Sequence, residues 1–161
     1  MKTNHLEKLF AEETIRQQKN YYRLAYSYTK NPEDALDIVQ ESIYKALSSL
    51  HTLKDPHSMK TWFYRILVNT SLDFLRKQKN VEVMDEEFLE SHLPEKEPAY
   101  PDLDLQEALA QVPPMYRNII VLRFFEDLTI DEVATILDVN PNTIKTRLYT
   151  GLKKLRLKMQ A

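Results

Sequence analysis

Apolar residues in this chain return every three or four positions, while the every-second-residue alternation of strands is nearly absent, so the pattern predicts an all-helical protein. A single glycine, Gly151, agrees with that reading. Leu6, Leu9 and Phe10 start a first amphipathic helix, which continues through Tyr22 and Tyr26; rings four residues apart share a helix face and are expected in the core. Asn31-Pro32-Glu33-Asp34 supplies a cap, a first-turn proline and an acidic first turn, and the helix it opens is expected to run to about Leu50. Its inner positions are Ala35, Ile38, Val39, Ile43 and Leu47, which leaves Asp34, Asp37, Gln40 and Glu41 as an exposed, largely acidic face. Asp55-Pro56 marks a loop. The helix that follows, from about Met59, combines Trp62, Phe63 and Tyr64 with Lys60, Arg65, Arg76 and Lys77 and carries Asn69 in its middle. Aromatics beside cations can grip single-stranded nucleic acid, because ring faces stack on bases while the charges hold phosphates. The plainer reading puts Trp62, Ile66 and Leu67 in the core.

The last third, LTIDEVATILDVNPNTIKTRLYTGLKKLRL, has the spacing of a helix-turn-helix. Thr129 and Glu132 stand in the relation of a capping box, so a helix can begin at Ile130 with its free amides satisfied. Ile130, Val133, Ala134 and Leu137 form its apolar stripe. Asp138 stands where such turns commonly hold a left-handed glycine, and aspartate tolerates that conformation better than most residues. Asn140 caps the next helix and Pro141 suits its first turn. The buried side of that helix is expected to carry Ile144, Leu148, Leu152 and Leu155, with Thr143, Lys145, Thr146, Arg147, Tyr149 and Lys153 projecting elsewhere.

Charge sharpens this picture. The chain of 161 residues has a net charge of −2 and a pI near 6.1, which spread evenly would argue against nucleic acid. From Pro141 to Ala161, however, no acidic residue opposes the cations, and Lys60 to Lys79 is a second basic segment. A phosphate backbone is the natural partner of such a segment. Between the two, Asn80 to Asp104 is acidic and punctuated by Pro94, Pro98 and Pro101. That segment is expected to be a flexible linker, with room for a short helix at Glu86 to Leu93. The division is therefore residues 1–79, a linker over 80–102, and 103–161, with the two domains not fixed relative to one another by the linker.

No cysteine is present, which excludes disulfides, thiolate metal sites and a cysteine nucleophile. The N-terminus lacks a signal-peptide apolar run and no stretch approaches a membrane span, so the expectation is a cytoplasmic protein with no membrane insertion of its own. The four histidines are scattered and no P-loop, H-E-x-x-H or serine-centred motif occurs. No catalytic residue, cofactor or metal is expected. His51, Asp55 and His57 share one loop as weak metal candidates.

DALDIVQESIYKAL, KTWFYRILVNTSLDFLRKQK, a proline-bearing acidic linker and VPPMYRNIIVLRFFEDLTIDEVATILDVNPNTIKTRLYTGLKKLR resemble, in that order, the segments of extracytoplasmic-function sigma factors. These are group IV of the sigma-70 family, small two-domain initiation subunits of bacterial RNA polymerase, and the resemblance runs from about Gln17 to Lys158. It implies that Asp34, Asp37, Gln40 and Glu41 dock on the beta-prime clamp helices. It further implies that Leu53, Lys60, Trp62, Arg65 and Asn69 serve the minus-10 element. Thr143, Lys145, Thr146, Arg147, Tyr149 and Lys153 would enter the major groove at minus-35. The implied partners are core RNA polymerase, through the clamp helices and the beta flap, promoter DNA and an anti-sigma factor. Where the family often has Arg-Ala-Arg after the position of Tyr149, this chain has Thr150-Gly151-Leu152, which removes two candidate contacts. The alternative is a helix-turn-helix regulator that binds duplex DNA without joining the polymerase. Such proteins usually dimerise to read two half-sites, and no heptad seam is evident here.

Overall fold

The computed structural model describes residues 2–82 and 101–160, with side chains over 5–78 and 105–160. The acidic segment 83–100, including the short helix expected at Glu86 to Leu93, lies outside the described residues. Seven α-helices make up the described fold: α1 (Lys2–Thr29), α2 (Pro32–Ser49), α3 (Met59–Glu82), α4 (Pro101–Gln111), α5 (Pro114–Ile120), α6 (Ile130–Leu137) and α7 (Pro141–Gln160). The fold is all-α, as the periodicity predicts.

Helices α1, α2 and α3 pack on one another around an aromatic centre. Tyr21 lies 4.5 Å from Phe63 and 5.5 Å, edge-on, from Tyr64, with Phe10 closing over Phe63 at 5.4 Å. Such tilted and edge-to-face contacts stabilise a core beyond the area they bury. The inward face of α1 is thus Tyr21, Leu24, Ala25 and Tyr28, all buried. Tyr22 and Tyr26, expected in the core, stack on each other at its margin, 6.2 Å apart. With tyrosines at adjacent positions the pattern fits two registers one residue apart, and the packing against Phe63 and Tyr64 selects the other.

Helix α2 begins as expected, with Asn31 Oδ1 accepting from the Asp34 amide at 3.0 Å. It ends one residue short of Leu50 in a 3₁₀ turn, Leu50–Thr52. Ala35 and Ile38 are buried and Val39 and Ile43 half-buried, but Leu47 is exposed; Ser42 and Ala46 take the inner places instead. Ser42 is satisfied there because its hydroxyl donates to the Ile38 carbonyl at 2.7 Å. The small residues let α2 approach its neighbours closely.

In the C-terminal half, α4, α5 and α6 pack on α7 around Leu109, Val112, Ile119, Ile120, Val133, Ile136 and Ile144. A π-helical turn, Val121–Phe125, continues α5 and ends with the Glu126 amide donating to the Val121 carbonyl at 3.0 Å. Asp127, at φ 54°, then turns the chain toward α6. The two halves are in contact through α3 with α6 and through α1 with α5 and the π turn, an arrangement the linker composition does not announce.

Candidate nucleic-acid interface

The helix-turn-helix is built by the caps that its sequence encodes. Thr129 Oγ1 accepts from the Glu132 amide at 3.1 Å while Glu132 Oε1 accepts from the Thr129 amide at 3.0 Å, a closed capping box. Asp138 ends α6 in the left-handed conformation, φ 56° and ψ 50°, as expected of the glycine position. Asn140 Oδ1 then accepts from the Asn142 amide at 2.8 Å and starts α7 at Pro141. These contacts fix the angle at which α7 leaves α6.

On α7, Ile144 and Leu155 are buried and Leu148 half-buried, whereas Leu152 sits at the rim, 37% exposed. Gly151 occupies the inner place expected of Leu152: a Cβ there would lie 3.0 Å from Tyr116 Cβ and 3.2 Å from Ile120 Cδ1. The glycine therefore serves the close crossing of α5 and α7. Lys145, Thr146, Tyr149 and Lys153 are exposed on the outer face, with Thr143 and Arg147 half-exposed beside them. None of the described ion pairs uses Lys145, Arg147 or Lys153. The surface is a polar, cationic stripe around an aromatic ring.

On α3, Phe63 and Tyr64 turn inward, and Trp62, Arg65 and Asn69 share the outer face at spacings of three and four. Trp62 is half-buried, its ring edge against Phe10 at 6.4 Å, so the packing and the binding readings of this residue hold together. Lys60 lies half-buried at the edge of this face. Leu53 belongs to the core at 7% exposure, so its side chain anchors the loop to Ser58 and is not part of the surface. Asp55 caps a 3₁₀ turn, Pro56–Ser58, through its contact with the His57 amide at 3.0 Å. Among the described residues no three His, Cys, Asp or Glu side chains converge as a metal site.

On α2, Asp37, Gln40 and Glu41 are exposed and Asp34 half-buried, its Oδ2 accepting from Gln78 Nε2 at 3.3 Å. Glu41 also pairs with Lys45 at 3.5 Å. Leu36, Tyr44 and Leu47 stand exposed around these residues, which periodicity alone misses because it assigns Leu47 inward. The face is acidic with an apolar rim.

Sequence reading also misses a buried carboxylate between the halves. Glu126 Oε2 accepts from Tyr64 Oη at 3.3 Å and pairs with Arg23 at 3.4 Å; the same guanidinium donates to the Phe125 carbonyl at 2.5 Å and lies over the Phe125 ring. Burial pushes the Glu126 carboxyl up to about 7 despite Arg23, Tyr64 and Lys60, which act in the opposite direction. Only its position between two apolar runs, FFEDL, hints at this. No helix among the described residues is long and apolar enough to cross a membrane.

Two helical regions, the second a capped helix-turn-helix with a cationic outer face, have the form of a DNA-binding protein. Residues 15–81 match the family model described as Sigma-70 region 2, and residues 102–155 that of Sigma-70, region 4. The chain is 56% identical over 141 residues to the RNA polymerase sigma factor SigV of Bacillus subtilis, covering 88% of this chain and 85% of that protein. It is 30% identical over 154 residues to the ECF RNA polymerase sigma factor SigW of the same organism, covering 86% and 82%. In fold it is similar to the sigma factor RpoE of Bartonella quintana, crystallised with the anti-sigma factor NepR, at a TM-score of 0.79 and 21% identity over 94% of this chain and 97% of that one. CnrH in complex with the cytosolic domain of CnrY follows at a TM-score of 0.70 and 19% identity, covering 94% and 87%. The chain belongs to the extracytoplasmic-function sigma factors of the sigma-70 family. It is an alternative sigma factor that directs promoter-specific initiation by RNA polymerase.

Proposed function

We propose that the three surfaces divide the work of initiation, with catalysis left to the polymerase in the cytoplasm. In this reading residues 1–79 form the domain that docks on the polymerase and serves the minus-10 element, and residues 103–161 the domain that reads minus-35. Asp34, Asp37, Gln40 and Glu41 of α2 meet the beta-prime clamp helices. Lys60, Trp62, Arg65 and Asn69 of α3, shaped by the loop that Leu53 anchors, take an unpaired base of the minus-10 strand. Thr143, Lys145, Thr146, Arg147, Tyr149 and Lys153 of α7 enter the major groove at minus-35. The observation that carries this most directly is the outer face of α7, whose cations lack described acidic partners and whose start is held by the Asp138 turn and the Asn140 cap. An anti-sigma protein is a further partner, a reading supported by the sigma factors of similar fold that were solved with one.

Reconstituted transcription with core polymerase tests the assignment. Arg147→Ala and Lys145→Ala are expected to weaken use of the minus-35 element by about 1–3 kcal/mol where they touch a base edge. Asn69→Ala should impair the step that follows, leaving polymerase binding and minus-35 dependence intact. A premelted template separates helped melting, which it rescues, from lost base capture, which it does not. Unchanged minus-35 dependence in both α7 variants would remove α7 as the reader.

A further inference from the structure

A pocket with about 460 Å³ of open space lies where α1 meets α4, α5 and the π turn, and shares no residue with the three surfaces assigned above. Three cations, Arg23, Lys30 and Arg117, line it together with apolar surface from Leu109, Val121 and Phe125, and none of the described residues in its walls is acidic. Arg23 is already matched by Glu126. Arg117 is not: it is 5% exposed, its Nε is buried without a partner among the described residues, and its Nη1 donates to the Ala110 carbonyl at 3.0 Å. Lys30 Nζ, at the exposed mouth, donates to the same carbonyl at 2.9 Å. None of the described ion pairs uses Lys30 or Arg117.

The charges of Lys30 and Arg117 are not balanced by the described residues. Two cations on one carbonyl at the end of α4 benefit from the helix dipole, but a helix C-terminus carries only roughly half an elementary charge. Burial holds the Arg117 guanidinium below its ordinary range, and the group that opposes this is the Tyr28 phenol, which burial raises and so keeps neutral. Lys30 is lowered by burial and then by the Arg117 charge beside it. A buried cation in this state is costly until an anion meets it. Lysine and arginine carry more N–H groups than these bonds use, so both can turn a donor to a ligand while keeping Ala110.

We propose that this pocket is an oxyanion site that takes the phosphate group of a small phosphorylated compound, held by Arg117 Nε and Lys30 Nζ. A dianionic phosphate matches both cations, where a single carboxylate would leave one over. The wall formed by Leu109, Val121 and Phe125 suits whatever carries the phosphate, since ligand sites combine a few placed polar groups with largely apolar surface. Free phosphate and the terminal phosphate of a nucleotide share this chemistry and differ in their use of that wall. Because Lys30 lies at the end of α1 and Arg117 in α5, the bound anion touches both, and its binding energy adds to the stability of the folded chain. The site is independent of the assignments made for promoter recognition.

Full-length protein in phosphate-free buffer at fixed ionic strength is titrated by calorimetry with inorganic phosphate, ADP and adenosine, and thermal unfolding is followed in parallel. The wild type should bind phosphate at a single site and melt at a higher temperature in its presence, whereas adenosine, which lacks the phosphate, should do neither. ADP binding more tightly than phosphate makes the carrier a nucleotide; ADP binding no more tightly makes the ligand the free ion. Arg117 lies in the core, where replacement endangers the fold, so Lys30 at the mouth carries the test. Lys30→Gln should weaken phosphate binding by about tenfold or more, the loss of one charge-assisted hydrogen bond, at unchanged helicity by circular dichroism. Lys30→Arg should retain it. Failure of phosphate to saturate a site, adenosine binding as tightly as ADP, or equal phosphate affinity in wild type and Lys30→Gln overturns the proposal. So does a loss of phosphate binding in Lys145→Ala in place of Lys30→Gln, which would put the anion on the outer stripe of α7.

Discussion

Among the described residues three other than glycine hold left-handed backbone, Lys30, Asp127 and Asp138, and each follows a helical segment. A side chain there is strained relative to glycine, so what each contributes in return differs. Asp138 serves only the turn: its amide contacts the Ala134 and Thr135 carbonyls, which any residue would do. Asp138→Gly is expected to raise stability by up to about 1 kcal/mol, read as a higher urea midpoint at unchanged m-value, with duplex binding unaffected. Lys30 contrasts with it, since its ammonium ties α1 to α4 and is held below its ordinary range by burial and then by the Arg117 charge. Lys30→Gly relaxes the backbone and breaks that tie, so the same assay should show no such gain.

At the scale of the element, helix starts were legible and helix faces only partly so. Asn31, Thr129 with Glu132, Asp138 and Asn140 act through local bonds that depend on a few adjacent residues, and all form as the sequence indicates. Inner faces depend on what lies opposite. At a tight crossing the residue that fits is the smallest, so Ser42 and Ala46 displace Leu47, and Gly151 displaces Leu152. A reading weighted by hydrophobicity favours the larger neighbour each time. The outer faces of α3 and α7 were readable because cations and polar groups cluster there. Glu126 was not, since its burial comes from a helix more than sixty residues away in sequence. Gly151→Leu is expected to destabilise by about 1–3 kcal/mol in urea, because Tyr116 Cβ is fixed to its helix and cannot yield. Gly151→Ala should cost less, since improved helix propensity of about 1 kcal/mol offsets the crowding at Ile120.

For the whole molecule, the net charge of −2 conceals a division of sign between segments, and binding should follow the segment. In the proposed reading the free chain meets duplex DNA through the cationic stripe on α7. Its affinity is expected to be weak and steeply salt-dependent, with a log-log slope of about −3 if Lys145, Arg147 and Lys153 each neutralise a phosphate. Lys153→Ala should lower that slope by about one at every sequence tested, as a phosphate contact would.

The contact between the halves also bears on how the chain unfolds. With α3 against α6, and α1 against α5 and the π turn, neither half can be lost without baring a face of the other. The two are therefore expected to melt together, so that far-ultraviolet circular dichroism and the emission of Trp62 follow one transition in urea. Two separated midpoints would show that the halves hold themselves up independently.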